Sequence, residues 1–186
     1  WAEPLRAVYA VQAAGIQVIQ VEMLFDLADP ARYRIESRMR FTGLARWFSG
    51  GQARSRVEGV WARGTVRPIR YVSEGTWRGE SRQARLEYSN GQLVLHQLVP
   101  AQDPDREPVP PSLQRQTIDS LSALAQLSRT LEETGRCEGR AAIFDGRRRG
   151  NVTVRTLGRD TLPAHGAAWS GEALRCGFTA QQIAGF

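Results

Sequence analysis

The side chains best suited to chemistry are few and scattered. The two histidines, His96 and His165, lie far apart, and neither has an acidic motif nearby to orient it as a base. No Gly-x-Ser-x-Gly elbow is present, and that turn is what exposes a serine nucleophile. A Walker loop and a dinucleotide fingerprint are also missing, so no glycine-rich cradle for phosphates is encoded. Ser49-Gly50-Gly51 is an isolated turn, and His165 after Pro163 reads as a loop residue. Asn151-Val152-Thr153 matches a glycosylation sequon, a match that chance supplies often. No catalytic residue and no cofactor are expected, and the chain is not expected to be an enzyme.

The two cysteines carry more information. In 137–143, Cys137 shares a face with Ala141 and Ile143, while Arg136, Glu138 and Arg140 face outward. In 174–178, Cys176 shares a face with Leu174 and Phe178. Both thiols therefore point toward the interior, and a Cys137–Cys176 disulfide is expected. Two free buried thiols are the alternative. Zinc comes third and no metal is expected, because neither histidine stands at ligand spacing from the pair. Closing a loop of this length is worth about 4 kcal/mol in the chain-entropy picture. A disulfide implies an oxidising compartment, so the expected location is periplasmic, associated or not with a membrane surface. The sequence opens on Trp1 without an initiator Met. A removed signal peptide or lipid anchor would explain that, as would a segment left out ahead of it.

Two further clusters each admit two readings. Leu44, Arg46, Trp47 and Phe48 interrupt the strand pattern. Exposed, they would form a tip touching a membrane or partner, with Arg46 near lipid phosphates. Buried, they would cover an open end of the fold. Asp145, Gly146 and Arg147, followed by Arg148 and Arg149, could hold a phosphate or carboxylate. The preferred reading is a structural hairpin turn, with Asp145 or a neighbouring arginine locking it from inside.

The elements that must position these residues are mostly strands. Across 32–41, Tyr33, Ile35, Ser37, Met39 and Phe41 alternate with Arg32, Arg34, Glu36, Arg38 and Arg40, which is the period of a half-buried strand. The segments 53–61 and 82–88 repeat that pattern. The first two strands read as about 5–13 and 16–27, joined at Ala14-Gly15. Asn90-Gly91 marks a type I′ hairpin, and Asp145-Gly146 returns 137–144 into 151–157. One stretch differs: from Asp119 to Thr134 the spacing of Leu121, Leu124, Ala125, Leu127 and Leu131 predicts an amphipathic helix. Asp119 is its N-cap and Gly135 its C′ residue.

The predicted fold is mainly β. It is a curled antiparallel sheet, or half-open barrel, of about 10–11 strands with one helix against the concave face. A single domain is expected over 1–186: strands over 1–99, a proline-rich loop over 100–118, the helix over 119–134 and strands over 135–186. The net charge is +6, with 25 arginines and no lysine. Without a reading motif this falls short of a nucleic-acid signature, and no nucleic-acid partner is expected. No apolar run is long enough to span a bilayer as a helix.

Asp119-Ser120-Leu121-Ser122-Ala123-Leu124 resembles the Asp-x-x-Ser-Ala-Leu segment of the proteobacterial exported family called domain of unknown function 3108. Phe144-Asp145-Gly146-Arg147-Arg148 is similar to its Asp-Gly-Arg hairpin. Cys176 followed by Ala184-Gly185-Phe186 is similar to its C-terminal pattern, and Tyr9-x-Val11 with Ala14-Gly15 fits its first strands. The resemblance implies an exported protein without established catalytic residues. It also implies a fold like the curled, half-open barrel of the Lol-type lipoprotein carriers. The leading expectation is a non-enzymatic carrier of an apolar small molecule, such as a lipid or acyl chain, on a concave face of Tyr33, Met39, Phe41, Trp61, Leu86 and Tyr88. The alternative is an envelope scaffold or accessory subunit that binds a protein partner.

Overall fold

The computed structural model describes residues 3–43, 51–77, 79–103, 106–166 and 168–186. Alternating sequence becomes strand where a tight turn can return it. Strands β1 (Leu5–Ala13), β2 (Ile16–Asp26), β3 (Arg32–Phe41), β4 (Gln52–Ala62), β5 (Thr65–Trp77), β6 (Glu80–Ser89) and β7 (Gln92–Val99) pair in chain order as one antiparallel seven-stranded sheet. Asn90-Gly91 turns β6 into β7 with φ of 52° and 78°, the double positive φ of a type I′ turn. Ala14-Gly15 and Arg63-Gly64 turn in the same way.

Cross-strand register gathers the core. Phe25, Ile35, Val57, Tyr71, Leu86 and His96 follow one another across β2 to β7. Ile35, Val57 and Leu86 in that row are fully buried. On the opposite face, charges interlock across strands. Glu36 accepts from both Arg34 and Arg54.

The proline-rich segment contains a short helix, α1 (Pro111–Gln114), which the sequence reading did not foresee. Proline is tolerated in a first helical turn because it lacks only an N–H that would be unpaired there. The main helix, α2 (Ser120–Thr134), begins and ends where capping chemistry predicts. The Asp119 carboxylate accepts from the Ser122 backbone N–H at 2.8 Å, and Gly135 closes the helix with φ 66°. Helix α2 packs against β3, β4 and β5 on one side and β8 on the other. Strands β8 (Glu138–Phe144), β9 (Arg149–Leu162) and β10 (Gly171–Ala184) form a second, three-stranded antiparallel sheet. Ile118 ties the helix entry to that sheet: it donates to Ala142 O at 3.0 Å and accepts from Phe144 N at 2.9 Å. Among the described residues the architecture is thus ten strands in two sheets, not closed into a barrel, with one main helix on the concave face.

Candidate functional site

The expected ligand face is largely occupied. Tyr33 and Leu86 are 2% and 0% exposed, and Tyr88 is buried beside them. They belong to the cluster that packs with Leu121, Ala125 and Phe144. These three are therefore core residues and not the wall of a cavity, because the helix stripe fills the concavity over them. Gly59 leaves room for the Tyr33 ring, whose atoms lie 2.3 Å from where a Cβ would sit. Trp61 is half-buried, tilted against Tyr33 at 5.1 Å and under the Arg129 guanidinium at 4.6 Å. Met39 borders a polar cleft with Arg38, Arg54 and Glu74, and Phe41 sits at the end of β3 opposite Ile19. Leu44, Arg46, Trp47 and Phe48 lie outside the described residues.

The apolar opening lies one layer away. Between α2 and the second sheet runs a groove of about 590 Å³, within the ~300–1,000 Å³ typical of ligand pockets. Helix α2 contributes Leu121, Leu124 and Leu127, and the sheet contributes Ala141, Ile143, Val152, Val154 and Phe178. None of the six expected ligand residues lines it. The β8–β9–β10 register explains this wall. Gly139, Val154 and Phe178 are directly opposed, as are Ala141, Val152 and Ala180, so their side chains share one face. Phe178 is 62% exposed there, an apolar ring with no lid. Polar groups gather at the rim. Gln126 is committed to Val66 N at 2.9 Å and to Gly64 O at 3.1 Å, and Glu138 pairs with Arg136 at 2.7 Å.

The far end of this wall is pinned by the Cys137–Cys176 disulfide, with Cα atoms 5.7 Å apart. Cys137 N also donates to Thr156 Oγ1 at 2.8 Å. At the other end the Asp145 turn is locked from within. Asp145 Oδ1 accepts from the backbone N–H of Arg147 and Arg148 at 2.8 and 2.7 Å. The Arg147 guanidinium reaches the carbonyls of Val99 and Pro100 at 2.9 and 3.0 Å. It also joins Arg82 and Arg106 around the buried carboxylate of Asp103. His96 Nε2 meets Gly146 O at 2.7 Å, which requires that nitrogen to carry the hydrogen. Burial holds the His96 pKa below its ordinary value. Gly185 closes this corner, since a Cβ there would lie 2.1 Å from Arg147 O.

The most perturbed titratable groups sit in the core, away from the groove. Asp119 is completely buried, and desolvation pushes its pKa up to about 6 against the hydrogen bonds that favour the carboxylate. Its Oδ2 accepts from Ser122 Oγ at 2.6 Å, and that hydroxyl meets Tyr33 Oη at 2.8 Å. Burial likewise raises the phenols of Tyr33, Tyr71 and Tyr88. This Asp119–Ser122–Tyr33 relay welds the helix start to β3.

Among the described residues no helix is long and apolar enough to cross a membrane. A protein-family model described as "Protein of unknown function (DUF3108)" matches residues 6–177. No curated protein and no solved structure matches the chain.

Proposed function

The chain belongs to the DUF3108 family, whose description carries no activity, and on that premise we propose that it is a non-enzymatic binder or carrier of an apolar chain, such as an acyl chain of a lipid. The observation that carries this reading is the groove between α2 and the second sheet, mostly apolar on both walls. Desolvating an alkyl chain there is favourable at about 0.8 kcal/mol per buried methylene. Supporting the non-enzymatic part, the perturbed acid and phenols lie inside the core, where no substrate reaches them. The disulfide supports residence in an oxidising compartment such as the periplasm.

Native mass spectrometry of the protein taken from its own envelope tests the proposal. A stoichiometric apolar adduct, lost from an Ala141→Trp variant that fills the groove, is the expected result. Full adduct retention in that variant would place the ligand elsewhere. A ligand-free protein that also fails to take up a fluorescent fatty acid would shift the case to a scaffold that binds other proteins.

A further inference from the structure

Among the described residues, strand β1 ends the seven-stranded sheet with only β2 beside it. It carries large apolar side chains on both faces: Leu5, Tyr9 and Val11 on one, Val8 on the other. These are exposed at 65%, 50%, 43% and 56%. An edge strand also turns the N–H and C=O of every second residue outward. A lipid could cover the side chains but would leave those backbone groups without partners. Another strand satisfies both, so the occupant is extended polypeptide. Leu5–Ala13 holds no proline to blunt the edge, and its one charge, Arg6, is paired with Glu22 of the neighbouring strand. The irregularity in the β1–β2 pairing puts its extra residue, Val18, in β2, so β1 itself runs unbroken.

The strand is also complementary to itself. Antiparallel pairing of two copies centred on Tyr9 sets Leu5 against Ala13, Arg6 against Gln12, Ala7 against Val11 and Val8 against Ala10. The only charge in the strand, Arg6, then faces a neutral amide. It is already bonded within its own chain to Glu22 at 3.3 Å, so no like charges meet. A two-fold axis at Tyr9 pairs the β1 edge of one copy with the β1 edge of the other and closes that contact. We infer that β1 is the interface between two copies of this chain, joined edge to edge in a sheet that continues through both.

Analytical ultracentrifugation at micromolar concentration tests this. Twice the chain mass is expected for the unaltered protein. A Val8→Lys, Tyr9→Lys double variant should run at the single-chain mass with an unchanged circular dichroism spectrum, since both positions are exposed. Cysteine substitution then fixes the register. Directly opposed residues in antiparallel strands have Cα atoms about 4.5–5.5 Å apart, inside the disulfide range. Oxidised Tyr9→Cys should therefore migrate as a covalent dimer and Leu5→Cys, far from its own mate, should not. A single-chain mass for the unaltered protein, a dimer that survives both lysines, or equal crosslinking at the two positions would each overturn the inference.

Discussion

The two sheets share one alternation of apolar and polar residues and come to different ends. In the seven-stranded sheet the row through Ile35, Val57 and Leu86 is sealed by α2 and by Phe144 from the second sheet. In the three-stranded sheet Val152, Val154 and Phe178 form an equally apolar row that faces the opposite flank of the same helix across an open groove. Phe144 is fully buried, and Phe178 is mostly exposed. Alternation marks which face seeks apolar contact. Whether that contact comes from the chain or from something else is decided by how closely the helix lies against it.

The largest expected effect breaks the sealed side. Phe144→Ala should destabilise the protein by about 3–5 kcal/mol, as large-to-small changes of buried aromatics do, measured by urea unfolding. A loss below about 1 kcal/mol would mean that the hairpin does not anchor the first sheet. Next comes the pin on the open side. Replacing both Cys137 and Cys176 with Ser should cost up to about 4 kcal/mol and raise hydrogen exchange first in β8 and β10. Uniform exchange over both sheets would deny the two regions separate stabilities.

Acid sharpens the contrast further. Because the folded-state pKa of Asp119 is raised to about 6, the folded protein binds its proton more tightly than the unfolded chain. Stability therefore increases as pH falls through 6, and the gain is complete below the unfolded carboxylate value. Wild type should accordingly gain on an Asp119→Asn variant between pH 7 and pH 5, by an amount on the order of 1 kcal/mol. Parallel pH profiles for the two proteins would show that Asp119 does not carry the charge in question. Glu36, on the outer face, has the opposite sign. Its pKa is lowered, mainly by the hydrogen bond from Arg34, so its contribution is lost only as pH drops below the ordinary carboxylate value. The smallest stability change belongs to the open wall. Phe178→Ser should alter folding by no more than about 0.5 kcal/mol while weakening uptake of a fluorescent fatty acid. Unchanged uptake would remove Phe178 from the binding surface.

Much of this architecture is legible in the sequence. The strand pattern, the Asn90-Gly91 and Asp145-Gly146 turns, and the helix with its Asp119 and Gly135 caps follow from local rules of period, φ and capping. The disulfide follows from the shared inward face of its cysteines. The groove does not, because it depends on the separation of two elements that are each amphipathic in isolation. Tyr33, Leu86 and Tyr88 look like ligand contacts until Ser122, the polar member of the helix stripe, is seen bonded to Tyr33 at the centre of the core. The signal for the groove wall was present in the alternation of Val152 and Val154 with Thr153 and Arg155. Nothing local distinguishes that alternation from the alternation of a buried strand.

The strictly sequential strand order also bears on how the molecule comes into being. Each of β1 to β7 pairs with its neighbour in the chain, so the first sheet can form by successive local steps. Val109, Leu121, Ala125, Phe144 and Ala184, which cover that sheet's apolar face, are all made later. A sheet formed ahead of those residues would show an uncovered apolar face, adhesive to other chains. Gly185 seats against the Arg147 turn, so the contacts that complete this corner join segments far along the chain from the strands they cover.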